Sequence, residues 1–66
     1  MAERLSHSEM AYELAKLVYG KLDWLRRFGS GKGKRGDHEI GLKRRELAVL
    51  QQAKDDYTRA AARDAA

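Results

Sequence analysis

Cysteine and proline are both absent from the 66 residues of this chain. Without cysteine it cannot form a disulfide or a thiolate zinc site, so we expect a reducing, cytoplasmic location. Without proline, glycine is the main residue that interrupts a helical pattern, and four of the six glycines fall between Gly29 and Gly36. This distribution predicts two long elements joined by one turn.

Long hydrophobic runs are also lacking. The N-terminal segment already carries charges at Glu3, Arg4 and Glu9, so we expect neither a signal peptide nor a membrane span. A chain of this length forms one domain at most, and its single hydrophobic core is marginal unless association adds to it. We therefore expect one domain over residues 1–66 that gains stability from a second chain.

An apolar stripe at helical spacing predicts a first helix over about residues 7–28. Ser6 and Glu9 have the spacing of a capping box at its start, and Gly29 is expected to end it in the left-handed conformation. The residues of the stripe that we expect in the core are Leu14, Leu17, Val18, Trp24 and Leu25.

A second apolar row runs along the same helix. It consists of Leu5, Tyr12 and Tyr19, spaced seven apart, with Leu22 at its edge. The combined apolar arc covers about half of the helix circumference, which is more than one neighbouring helix can cover. The row therefore predicts a dimer seam or a site for a partner protein. Half-exposed tyrosines with their hydroxyls in water are the alternative.

A second helix is predicted over about residues 38–63, with Asp37 as its N-cap. Its apolar positions form a stripe that is expected to face the first helix: Leu42, Val49, Leu50, Ala53, Tyr57, Ala60 and Ala61, with Ile40 and Leu47 at one edge. Two such helices form an antiparallel hairpin. The predicted fold class is all-α, with two hairpins pairing as a homodimeric four-helix bundle.

The excess positive charge lies around the turn, between Arg26 and Arg45. This segment has eight basic and two acidic residues, a net charge of +6, whereas the whole chain has +4. The dipole of the second helix does not explain basic residues placed just before its positive end. We therefore expect this region to bind acidic groups through Lys32, Lys34, Arg35, Lys43, Arg44 and Arg45.

Nucleic-acid phosphates are the partner that we predict for these residues. No aromatic residue interleaves with the basic loop, so stacking on single-stranded bases is not expected. Contacts to phosphates alone read no sequence. An acidic protein surface and a plain solubilising linker are the alternatives left open.

Catalytic and metal sites are not expected. The loop does not match the phosphate-binding motif GxxxxGK[ST], because the residue six positions after Gly29 is Arg35. Asp37, His38 and Glu39 are adjacent, yet successive helix residues diverge by about 100° and cannot easily close on one ion.

The sequence therefore predicts a small non-enzymatic regulatory or accessory protein without a cofactor. The alternative is a protein-interaction module or antagonist that binds through Leu5, Tyr12 and Tyr19.

Overall fold

The computed structural model describes residues 4–65, and within that range it contains two helices and no strand. Glu3, used in the argument against a signal peptide, lies outside the described residues. Helix α1 spans His7–Phe28 and helix α2 spans Asp37–Ala65. The His7 ring nitrogen lies 2.6 Å from a carboxylate oxygen of Asp64, so the helices run antiparallel. The predicted all-α hairpin is confirmed.

Ser6 caps the start of α1. Its hydroxyl accepts a hydrogen bond from the Glu9 backbone N–H at 3.1 Å, and the Glu9 carboxylate accepts one from the Ser6 N–H at 3.1 Å. These two bonds satisfy backbone donors that no helical carbonyl reaches, and they confirm the predicted capping box. The bond from the Ser6 N–H, followed by that from its hydroxyl, lowers the pKa of Glu9.

The turn begins at Gly29, whose backbone is right-handed, with φ −81° and ψ −13°. The predicted left-handed conformation is therefore wrong at this residue. A Cβ here would overlap the carbonyl oxygen of Leu25, which accepts the Gly29 N–H at 2.7 Å. Close backbone approach thus explains this glycine. The positive φ of the loop, +80°, occurs at Gly31.

The helices meet along one row of residues each, with alternating spacings of three and four. The row of α1 contains His7, Ala11, Leu14, Val18, Lys21, Leu25 and Phe28, and that of α2 contains Ile40, Lys43, Leu47, Leu50, Lys54, Tyr57 and Ala61. All of these side chains are buried or half-buried. The most buried are Leu14, Val18 and Ile40, each 6–9% exposed. A repeat of this spacing is that of a left-handed coiled coil.

Three large apolar residues that the sequence places against the neighbouring helix are instead exposed. Leu17 is 54% exposed, Leu42 is 53% exposed and Val49 is 60% exposed. The reason is the spacing of the residues by which α2 meets α1. This spacing places Ile40 and Leu47 against α1, and it places Leu42 and Val49 to one side of that row. Helix α2 begins at Asp37 itself, so the expected N-cap is already its first helical residue.

Replacing Leu14 by alanine removes one of the most buried side chains. We expect a loss of about 2–5 kcal/mol in the free energy of unfolding, measured by urea denaturation followed by circular dichroism. Tyr19→Ala is the control, because Tyr19 is 71% exposed and its removal should change stability by about 0.5 kcal/mol or less. Equal losses for the two variants would contradict the described core.

Candidate nucleic-acid interface

The turn places the predicted basic residues at one end of the hairpin, which we call the basic end and define as residues 26–45. Lys32, Lys34 and Arg35 lie in the exposed loop between the helices. Arg44 and Arg45 are exposed on α2, about 10 Å along the helix from its start. The structure thus brings the loop and helix residues to the same end of the molecule.

Four basic residues at this end have carboxylate partners. Asp23 accepts contacts from both Arg26 at 2.9 Å and Arg27 at 3.1 Å. The Lys34 ammonium lies 3.2 Å from the Asp37 carboxylate. Lys43 is the fourth basic residue with a carboxylate partner, which is Glu46. Exposed pairs of this kind contribute little stability, because water and salt screen them. A phosphate can therefore compete for Arg26, Arg27 and Lys34 at small cost.

Lys43 differs from the other predicted contacts because it belongs to the row between the helices. Its side chain is 29% exposed, and its ammonium lies 3.8 Å from the Glu46 carboxylate and 5.4 Å from the centre of the Trp24 ring. Glu46 also accepts a hydrogen bond from Lys21 at 2.8 Å. The Lys21 hydrogen bond and charge, and then Lys43, lower the pKa of Glu46. Lys43 thus holds α2 against α1.

The other four basic residues have no carboxylate within 4.0 Å in the part of the chain that the structure describes. They are Lys32, Arg35, Arg44 and Arg45. The Arg35 guanidinium instead lies over the Phe28 ring, 4.7 Å from its centre, and the Arg35 N–H donates to the Phe28 carbonyl at 2.9 Å. Arg35 is therefore held in place while its charge stays uncompensated.

Arg44 and Arg45 serve different sides of α2, since successive helical residues diverge by about 100°. Arg45 borders a depression between the helices that Leu17 and Val49 also line. Arg44 does not line that depression. Both arginines border a second depression on α2 together with Val49, so the two side chains diverge from the helix but flank one surface.

The predicted partner row of α1 is exposed along its whole length. Leu5 and Leu22 are 43% and 42% exposed, and Tyr12 and Tyr19 are 65% and 71% exposed. The Lys16 ammonium lies 5.0 Å from the centre of the Tyr12 ring. The row thus lies on the side of α1 that faces away from α2.

A second exposed apolar surface was missed at the sequence level. It contains Leu17 and Val49, which line the depression between the two helices, and Leu42, which is 53% exposed and lies seven residues before Val49 on the same helix. We call it the groove face. A signal for it is present in the sequence, because Leu42 and Val49 are seven residues apart and form a separate row beside Ile40 and Leu47.

Comparison with known proteins assigns neither family nor activity: no family model, no curated protein and no solved structure matches the chain. Among residues 4–65, no three His, Asp or Glu side chains are grouped closely enough to hold a metal ion. Neither described helix has a stretch that is both long and apolar enough to cross a membrane.

Replacing Glu46 by glutamine removes the carboxylate shared by Lys21 and Lys43. A carboxylate with a lowered pKa stabilises the folded state above its unfolded pKa, and this contribution is lost as pH falls through the folded value. The native chain should therefore lose stability as pH falls below about 4.3. The Glu46→Gln variant should be less stable than the native chain at pH 7, and it should lose less stability on acidification. Thermal melts across this pH range measure both effects.

The control is Glu39→Gln, which removes an exposed carboxylate of the same helix. It should lower the stability at pH 7 by less than Glu46→Gln does, because Glu39 contacts no basic side chain within 4.0 Å among the described residues whereas Glu46 contacts two. If Glu46→Gln shows the same stability and the same acid response as the native chain, the Lys21–Glu46–Lys43 cluster does not stabilise the hairpin.

Proposed function

We propose that this protein is a small non-enzymatic regulatory or accessory protein that binds nucleic-acid phosphates through its basic end. We further propose that it acts as a homodimer in which two hairpins form a four-helix bundle. The observation that carries the proposal is a group of three basic side chains with no carboxylate within 4.0 Å among the described residues, Lys32, Arg35 and Arg44, within a segment of net charge +6.

Arg35 has the geometry best suited to a phosphate. Its stacking on Phe28 occupies one face of the guanidinium, which leaves the N–H donors at the edge of the group available for phosphate oxygens. A side chain that is already held in place loses less conformational entropy on binding. Arg35 therefore supplies a fixed contact, whereas the exposed Lys32 supplies a mobile charge.

The expected binding is sequence-independent and sensitive to salt. Each neutralised phosphate on duplex DNA contributes about −0.9 to the slope of log affinity against log salt, and non-specific dissociation constants are about 10⁻⁴–10⁻⁶ M at physiological salt. Contacts from Lys32, Arg35 and Arg44 of one hairpin predict a slope of about −2.7. Lys34 and Arg45 add to it where a phosphate reaches them.

Replacing Lys32 and Arg44 by glutamine tests this proposal without disturbing a salt bridge of the described residues. The double variant should bind DNA and RNA duplexes more weakly, with a salt slope that is less negative by about 2. Fluorescence anisotropy over a salt series measures both quantities.

The matched control is Lys16→Gln with Arg59→Gln, which changes the net charge equally but outside the basic end. Lys16 pairs with Glu13 and Arg59 with Asp56, so each already has a carboxylate partner. The control should retain most of the affinity. Equal losses in the two double variants would show that net charge alone causes binding, and the basic end would lose its role.

A second candidate function is supported by the exposure of Tyr12 and Tyr19. An amphipathic helix can lie with such a row in the groove of a partner protein, and two aromatic side chains that are 65% and 71% exposed are suited to that contact. In this reading the protein is an interaction module or antagonist. The basic end then serves only for attraction and solubility.

Tyr12→Ser together with Tyr19→Ser tests whether this row is available to a partner protein. We expect the variant to keep its helicity and its mass in light scattering, because neither tyrosine contributes to the row between α1 and α2. A change from dimer to monomer would identify the tyrosine row as the dimer seam. The second candidate would then lose its surface.

A further inference from the structure

The groove face is built from one row of residues on each helix. The row of α1 contains Met10, Leu17 and Trp24, and the row of α2 contains Leu42, Val49 and Asp56; in both, the members are seven residues apart. The two rows lie on the same side of the hairpin, since Leu17, Val49 and Leu50 line one depression. This side is therefore a largely apolar strip with the coiled-coil period, bordered by the charged residues Lys21, Arg45 and Glu46.

The surface area of the hairpin shows that a large face is uncovered. The chain exposes 5456 Å², whereas a compact monomer of 7.5 kDa exposes about 4,250 Å². The excess is about 1,200 Å², and a stable interface buries about 800 Å² on each partner. The hairpin thus has enough surplus surface for one complete interface.

We propose that a second copy of this chain covers the groove face in antiparallel orientation, so that the two basic ends lie at opposite ends of a four-helix bundle. The proposal specifies the dimer proposed above, and the role of its two ends rests on the proposed function. A parallel pair would place two segments of net charge +6 side by side, and that repulsion disfavours it.

Charge complementarity supports the antiparallel orientation. The contact between Lys21 of α1 and Glu46 of α2 shows which residues of the two helices lie at the same height along the hairpin. Leu17 lies one turn before Lys21, and Leu50 lies one turn after Glu46. Because the helices are antiparallel, Leu17 and Leu50 therefore lie at the same height. A two-fold axis at this level, perpendicular to the helices, brings Leu17 opposite its own copy. Arg45 lies about 8 Å to one side of the axis and Asp56 about 9 Å to the other.

Arg45 of one copy therefore comes opposite Asp56 of the second copy, and the pair occurs twice because of the symmetry. Arg45 has no carboxylate within 4.0 Å among the described residues of its own chain. Asp56 lies in the same row as Val49 and is paired with Arg59 of its own chain at 2.6 Å, so in the dimer its carboxylate is shared by Arg59 and by Arg45 of the second copy. The antiparallel arrangement thus supplies a partner for a charge at the edge of an apolar strip.

Gly20 is consistent with this arrangement. It lies beside Leu17 and Trp24. Apart from its chain neighbours and the backbone of its own helix, no atom of the described residues is within 4 Å of the position that a Cβ would take. A glycine within a helix costs about 1 kcal/mol relative to alanine, and the hairpin itself gives no reason for it. A second copy that packs closely on this side gives one.

Light scattering of a variant with Leu17→Glu and Val49→Glu tests the face. The native chain should have twice the mass of one 7.5 kDa chain, and the variant should have the mass of one chain. Both positions are more than half exposed in the hairpin, so circular dichroism should still show helix. The control, Tyr12→Glu with Tyr19→Glu, should remain dimeric.

A monomeric native chain that is still helical would overturn the proposal, as would a dimeric groove-face variant. A monomeric tyrosine control would assign the interface to the other face of α1. If the monomeric groove-face variant still binds a duplex, one hairpin is sufficient for the phosphate contacts and the dimer is not required for them. The variant with Lys32→Gln and Arg44→Gln should lose duplex binding and keep the mass of the dimer. This result would show that the phosphate contacts can be removed without loss of the dimer.

Orientation is tested by a spin label on Ser30→Cys, since the chain has no other cysteine. In the antiparallel dimer the two labels should be separated by a distance comparable to the 47 Å length of the hairpin. A distance under half of that length would show a parallel dimer and overturn the orientation.

The Arg45–Asp56 pair is tested by charge reversal. Arg45→Glu should raise the dimer dissociation constant by about fivefold or more, and adding Asp56→Arg should restore it in part. Arg44→Glu, which makes the same charge change on another side of α2, should have a smaller effect. Equal effects of the two arginine variants, without restoration by the second change, would contradict the pairing.

Discussion

The structure depends on one packing constraint: in a hairpin of two helices, each helix can bury only one row of residues against its neighbour. Among the described residues, only Leu14, Val18 and Ile40 reach 9% exposure or less. Leu17, Leu42 and Val49 lie beside the contact row and stay more than half exposed. A core this small is marginal for a fold of this size, so the exposed groove face and the proposed association with a second copy have one cause.

The row of residues between the helices also determines which basic side chains are free to bind an external anion. Lys21 and Lys43 occupy positions between the helices where their stems are half-buried, and both direct their ammonium groups to Glu46. Asp23 is shared in the same way by two arginines. Asp23, Asp37 and Glu46 are therefore each engaged by basic residues of their own chain. Lys32, Arg35 and Arg44 have no such partner among the described residues and are left for an external anion. The phosphate proposal follows from this local imbalance.

Local signals in the sequence predicted the helices and their start. The spacing of Ser6 and Glu9 specifies the capping box, because both partners lie within one turn. The face of α2 was not predictable in the same way, since Ile40, Leu42, Leu47 and Val49 form two adjacent apolar rows and only the packing against α1 selects one. Likewise, the half-buried position of Lys43 does not follow from the charge pattern, because it depends on that choice of row. The different directions of Arg44 and Arg45 do follow from the sequence, because adjacent residues of a helix diverge by about 100°.

In the proposed dimer, a second copy of the chain completes the packing of the hairpin. The most direct test is the midpoint of thermal unfolding, followed by circular dichroism at 222 nm over about a hundredfold range of protein concentration. If folding is coupled to dimerisation, the midpoint rises as the concentration rises, because mass action favours the associated state. A midpoint that is independent of concentration, in a chain that is still helical, would show that the isolated hairpin is the stable unit and would contradict this account.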